Sequence, residues 1–302
     1  MNRNRIPGPK KTGCLPMIVL ALCCWVLCGT GLAAEQVDFI ETFEHGQINW
    51  STGLLTSSGV AAPPEKSEAK NAEELEKALE QARSLAVQNM LGLVLKTRVD
   101  SLTSVGDIAA QSDIMMAKVR SLMKGVKPTK QEYLSDGTVE VTMQMNMHGG
   151  FAQLVLPGEI KQIESIKTVS SEKNAPDDTP QESSSDTAAE AFTGLVVDAR
   201  GIRFSPAMAP VIVDEKAREV YGSAFVSREF AVQQGMSGYA RKIEAISRHP
   251  RVAGKPLAVK GLGTVDNRPS TIIISNADAS KIKSASEHLS FLKKCRVMIV
   301  VD

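Results

Sequence analysis

The chain has 302 residues, with 35 basic and 34 acidic side chains and a formal net charge of +1. Hydrophobic residues make up 43% of it, enough for one or two cored domains and too many for a disordered chain. A balance this close to neutrality lacks the basic footprint of a nucleic-acid binder, so no nucleic-acid partner is expected.

The chain opens with Arg3, Arg5, Lys10 and Lys11, and no charge follows from Thr12 to Ala34. The centre of that stretch, Leu15 to Cys28, is almost wholly apolar, and Gly29-Thr30-Gly31-Leu32-Ala33-Ala34 closes it with small residues. These are the parts of a secretory signal, and the run is shorter than the roughly 20 apolar residues of a membrane span. Residues 1–34 are therefore expected to direct export, with cleavage after Ala33 or Ala34. Retention as an N-terminal anchor is the alternative. A lipid-modified cysteine is not expected, because Cys23 and Cys28 follow leucines and Cys24 follows Cys23. With Cys14, these sit in the leader, so Cys295 is the one cysteine beyond it and no internal disulfide is expected. The leader holds four of the basic residues and none of the acidic ones, which leaves the remainder at a net charge of −3. The expected location is the periplasm or the outer-membrane surface.

A first domain is read over residues 35–160. Short strands around Ile48–Trp50 and Leu54–Thr56 are joined through Ser51-Thr52-Gly53. A long helix follows from Ala72 to Arg98, with Leu75, Leu79, Ala82, Ala86, Met90 and Leu93 at helical spacing. Its first turns carry Glu73, Glu74 and Glu76, where the helix dipole favours acids. Ser104-Val105-Gly106-Asp107 reads as a capping box before a short helix, and another helix runs from Ser112 to Lys124, stopping at Gly125. Ser135-Asp136-Gly137 is turn chemistry between Glu132-Tyr133-Leu134 and an alternating strand. In that strand Val139, Val141, Met143, Met145 and Met147 point one way, while Thr138, Glu140, Thr142, Gln144 and Asn146 point the other. One apolar and one solvated face predict an antiparallel sheet with helices on a single side. The strand spans about 30 Å and the helix about 40 Å, so the one can cover the other.

Residues 161–190 contain Ser170-Ser171, Asp177-Asp178, Ser183-Ser184-Ser185 and two prolines, with no apolar periodicity after Val169. Such a segment buries too little surface to offset its ordering entropy and is read as a flexible polar linker. The second domain, 191–302, is strand-rich: Leu195-Val196-Val197, a hairpin from Val211-Ile212-Val213 to Glu219-Val220-Tyr221, Leu257–Val259, Thr271–Ile274 and Arg296–Val301. Ser227 is placed as a helix cap, a helix is expected over Arg241–Arg248, and Asn276 is expected to cap a helix over Ala277–Leu289. Both domains are assigned to the α+β class, each a small antiparallel or mixed sheet packed by helices and expected to close on itself.

Candidate chemistry is sparse. Met143, Met145, Met147 and His148 are ligand types that suit Cu(I), but period-2 methionines on a half-polar strand fit a core face better. Asp198 ends a hydrophobic strand, where active-site carboxylates sit, yet Arg200 and Gly201 make it look like a satisfied turn. His45, His148, His249 and His288 show no metal-ligand spacing. Ser227 stands outside any nucleophile elbow, and Gly261-Leu262-Gly263 lacks the third glycine of a dinucleotide loop. Cys295, ahead of Val297-Met298-Ile299-Val300-Val301, reads as a buried, inert thiol. No catalytic residue, cofactor or metal site is assigned.

Ile48-Asn49-Trp50-Ser51-Thr52-Gly53, the alanine-rich helix Ala78–Leu93, Val99-Asp100-Ser101, Val105-Gly106-Asp107 and Tyr133-Leu134-Ser135-Asp136-Gly137-Thr138-Val139-Glu140-Val141 carry a resemblance over residues 46–156. This segment resembles the Lpp-twenty type envelope lipoproteins and the N-terminal domain of T-type flagellar assembly proteins. Val197-Asp198-Ala199-Arg200-Gly201 and Val220-Tyr221-Gly222 resemble the C-terminal part of exported proteins and bring no activity with them. The resemblance implies a non-enzymatic envelope protein that binds protein partners, flagellar or secretion components among them, with peripheral membrane association. The rival readings are a periplasmic copper-handling protein using Met143–His148 and a hydrolase with Asp198 in a second-domain cleft.

Overall fold

A computed structural model describes residues 38–63, 72–161, 192–246, 249–252, 254–284 and 286–302. Residues 1–34, expected to be a leader, and, apart from Lys161, residues 161–190, expected to be a linker, lie outside the described residues.

The first sheet is antiparallel. Its strands are Ile40–Phe43 (β1), Gly46–Asn49 (β2), Leu54–Ala61 (β3), Pro128–Tyr133 (β4) and Val139–Asn146 (β5), in the order β1-β2-β3-β5-β4. Between β3 and β4 run three helices, Ala72–Lys96 (α1), Val105–Ala110 (α2) and Asp113–Met123 (α3). The apolar stripe of α1 buries Leu79, Ala82, Ala86, Met90 and Leu93 against the sheet. Contact is closest at Gly59, whose missing side chain lets β3 lie against the backbone of Ala82 and Ala86. The Ser57 hydroxyl donates to Ala86 O at 2.9 Å and Asn89 Nδ2 donates to Ser58 O at 2.7 Å, so polar bonds fix this crossing too. The capping box forms as read: Asp107 N–H donates to Ser104 Oγ, and Ser104 N–H donates to Asp107 Oδ2. On the core face Val139, Val141, Met143 and Met147 are buried, and Met145 is half-buried against the same core.

The second sheet is mixed. After a short helix at Gly150–Val155 (α4) come Leu195–Asp198 (β6), Val211–Asp214 (β7), Glu219–Tyr221 (β8), Arg228–Gln234 (α5), Gly238–Ala240 (β9) and Ile243–Ile246 (α6). Leu257–Val265 (β10), Arg268–Ile274 (β11), Asn276–Lys283 (α7), Ser286–Lys293 (α8) and Val297–Val300 (β12) complete the chain. The order is β8-β7-β11-β10-β6-β12-β9. β7/β11, β10/β6, β6/β12 and β12/β9 pair in parallel, β7/β8 and β10/β11 antiparallel. The unbroken apolar runs of β6 and β12 match this: a parallel strand is covered on both faces. One face joins the main core through Leu195, Val197, Val297 and Ile299, while Val196, Met298 and Val300 form a smaller core with Ile246 and Val252. The α+β assignment therefore holds for both sheets.

Three details differ from the sequence reading. The helix expected at 277–289 is two helices, and its cap is Ser275, whose hydroxyl accepts from Asp278 N–H at 3.0 Å; Asn276 begins the helix proper. Ser227 holds the N-cap position of α5, but its hydroxyl makes no capping bond. The largest difference is that the first segment does not close on itself. The described residues from Asp38 to Asp302 fall in one compact unit whose main core draws on both sheets. Trp50 meets Tyr239 edge-on at 5.9 Å between ring centroids. Met208 and Ala209 donate backbone bonds to Arg98 O and Val99 O. Arg228 reaches from the start of α5 to Gln153 O and Pro157 O, both at 2.9 Å, and so satisfies carbonyls that the end of α4 leaves open.

Candidate functional site

Met143 and Met147 are buried in the main core, whereas Met145, half-buried against it, borders with His148 a surface hollow of about 320 Å³. Among the described residues, no group of three or more His, Cys, Asp or Glu side chains is placed to hold a metal ion. His148 lies just past β5. Its ring is wedged between Gly53 and Gly235, each with positive φ (71° and 80°), and a Cβ on either would come within 3.0 Å of the imidazole. The ring also borders a small cavity of about 30 Å³ that it shares with Trp50, Met147, Ser237 and Tyr239. A cavity needs roughly 10–15 Å³ of such space to hold a water, so this one has room for about two waters and not for a substrate.

Burial, and secondarily the charge of Arg251, hold His148 below its ordinary pKa of 6.5, and the same two causes lower His249. A depressed histidine pKa means that the folded state binds a proton less readily than the unfolded chain. The stability this reflects is fully present above about pH 6.5 and is lost as pH falls from there through the lower folded-state pKa. Urea unfolding between pH 7.5 and 5.5 should show a falling midpoint, and His148→Gln should flatten that slope. An unchanged slope in the variant would remove His148 from the account.

Asp198 ends β6, as expected, but it is saturated. Arg200 grips the carboxylate with two bonds, Nε at 2.9 Å and Nη2 at 3.0 Å; Lys260 Nζ stands 3.3 Å from it, and Arg200 N–H adds a fourth contact. The Arg200 bonds hold this carboxyl far below the ordinary range, which makes it a poor proton acceptor at neutral pH. Asp198→Asn is expected to cost about 1 kcal/mol or less, because both cations stand partly in solvent. Chemical denaturation tests this.

Cys295 is buried, as its apolar neighbourhood predicted, and burial pushes its thiol up to about 12. Beside it Tyr221 OH donates to Met236 O, and the Tyr239 hydroxyl both donates to Ala207 O at 2.6 Å and accepts from Ala207 N–H at 3.1 Å. These hydroxyls are spent on backbone groups, and burial pushes Tyr239 up to about 12. They fix the junction and are not placed for proton transfer.

The outward face of the first sheet offers a surface to a partner. Cross-strand pairing aligns Gln47 with Thr56, Thr56 with Gln144, Ser58 with Thr142, and Thr142 with Lys130. The rows are rich in hydroxyl and amide groups, with Val60 52% exposed among them and Gln144 exposed. At the edge every residue of β4 is exposed, followed by Leu134 at 50%. Pro128, Lys130 and a register shift between Pro128 and Lys130 guard that edge against indiscriminate strand addition. The sequence pattern predicted the polar face; the guarded edge depends on pairing register and was missed.

The second sheet and its helices define a mixed-sheet α+β domain from β6 to the end of the chain. Residues 194–302 match the family model of the second domain of Treponema pallidum Tp0624. A comparison with curated proteins gave no match. Among the described residues, no helix is long and apolar enough to cross a membrane.

Proposed function

We propose that this chain is an exported, non-catalytic protein of the cell envelope that binds other envelope proteins as an assembly or tethering module. The observation that supports the reading most is the outward face of the first sheet, a broad row-ordered surface of hydroxyl and amide groups around the exposed Val60. The leader's basic-then-apolar pattern supports export. The resemblance of residues 46–156 to Lpp-twenty type lipoproteins and to the N-terminal domain of T-type flagellar assembly proteins points to flagellar or secretion components as the partner class. The copper-handling alternative would need the buried thioethers of Met143 and Met147 to become accessible, and the hydrolase alternative would need Asp198 released from Arg200.

A photo-crosslinking side chain placed at Val60 or Gln144 in the native host tests the reading. The expected result is one discrete protein adduct from both positions, absent when the crosslinker sits at the exposed, distant Lys216, and lost in a Val60→Arg, Gln144→Arg background. Equal labelling from Lys216, or no adduct from the sheet face, would contradict it.

A further inference from the structure

On the second sheet's side of the molecule a groove of about 570 Å³ opens between α5, the loop His249–Arg251 and the segment that joins α8 to β12. Its lining includes Phe230, Gln233, His249, Arg251, Lys294 and Arg296, and none of its lining residues is acidic. That segregation is notable in a chain whose portion beyond the leader carries a net negative charge. Arg251 is the inner wall. Its guanidinium donates to Gly235 O at 3.1 Å and Cys295 O at 2.8 Å, and also to Gln234 O. It thus sits over carbonyls that close α5 and follow α8, and its partners in the described structure are backbone oxygens, which carry no full negative charge. Burial lowers its pKa, a sign that the cation is partly stripped of water. Lys294 and Arg296 are exposed at the rim, and the salt bridges of the described residues use neither.

We infer that this groove is a binding site for a small ligand carrying at least two oxyanion groups. Lys294 and Arg296 provide exposed charge-assisted donors, and guanidinium and ammonium groups bind phosphate or carboxylate oxygens well. Arg251 sets a fixed positive potential behind them, strengthened by its low-dielectric surroundings. Phe230, half-buried on α5, gives the ligand an apolar wall. An anion seated here would offset the uncompensated charge of Arg251, so binding should stabilise the fold. The site lies apart from the proposed protein-binding face and does not depend on that reading.

The probes are inorganic pyrophosphate and citrate, which separate a phosphate from a carboxylate source. Each is titrated into the full chain beyond the leader by calorimetry and by backbone amide chemical shifts. The expected result is saturable binding of at least one probe, with shifts confined to 233–235, 249–251 and 294–296, weakening as salt rises. The rim variant Lys294→Gln, Arg296→Gln should weaken it at least tenfold, while Lys216→Gln should leave it unchanged. Because both rim side chains are exposed, the double variant should keep its fold, which circular dichroism checks. Failure of both probes to saturate, or equal weakening by Lys216→Gln, would overturn the inference.

Discussion

Gly59→Ala is expected to cost about 3 kcal/mol or more, at the upper end of what an added core methyl does. A Cβ at this position would lie 2.2 Å from Ala82 O and 2.3 Å from Ala86 N. Both obstacles are helix backbone, so no side-chain rotation relieves them. The helix must lift off β3, breaking the Ser57–Ala86 and Asn89–Ser58 bonds as it goes. Gly92→Ala is the matched control, since Gly92 is in α1, exposed, and a Cβ there meets nothing within 4 Å. That change should stabilise the protein by up to about 1 kcal/mol through helix propensity. Urea midpoints of the two variants should therefore move in opposite directions. A Gly59→Ala variant as stable as the parent would mean that α1 does not lie on β3 in this way.

Trp50→Ala is the second large effect, about 3–5 kcal/mol for a buried aromatic. Trp50 is 4% exposed and does three things at the junction. Its ring takes the edge-on contact with Tyr239, its Nε1–H donates to Glu41 Oε2 at 3.0 Å, and the Arg98 guanidinium lies 6.0 Å over its ring centroid. Glu41 and Arg98 are themselves paired at 2.7 Å, and Arg98 Nε donates to Pro206 O at 2.9 Å. Removing the indole opens a cavity and loosens the group that ties the end of α1 to the second sheet. Amide exchange should then quicken in β5 and in β6 together. Faster exchange confined to the first sheet would show that the junction carries little of the stability.

Legibility in the sequence followed the range of the interactions. α1 and β5 declare themselves because their periodicities of 3.6 and 2 are local and long. β1 and β9 do not: four and three residues carry too little pattern, and β9, with a glycine at its start, is defined by its partner β12 nearly sixty residues later. The order of the second sheet is hidden for the same reason, since β6 lies between β10 and β12 and not beside its neighbours in the chain. Trp50 falls in a stretch that reads as strand in the sequence, but its partner Tyr239 lies on the far side of residues 161–190. The basic groove shows the limit most clearly. Lys294 and Arg296 flank Cys295 in the sequence, but nothing local ties them to His249 and Arg251, more than forty residues earlier. The fold buries the thiol, leaves those two cations exposed and brings His249 and Arg251 to the same wall. The signal-like leader and the polar linker remain readings of the sequence, and both fall outside the described residues save for Lys161.

The described residues from Asp38 onward are one unit, cross-tied at Trp50, Arg98 and Arg228, which turns the polar face of its first sheet outward. Scanning calorimetry of residues 35–302 tests this most directly. The structure predicts one transition, with calorimetric and van't Hoff enthalpies in agreement, and Trp50→Ala should lower that transition as a whole. Two separate transitions, of which Trp50→Ala moves the one belonging to the first sheet and leaves the other in place, would contradict it.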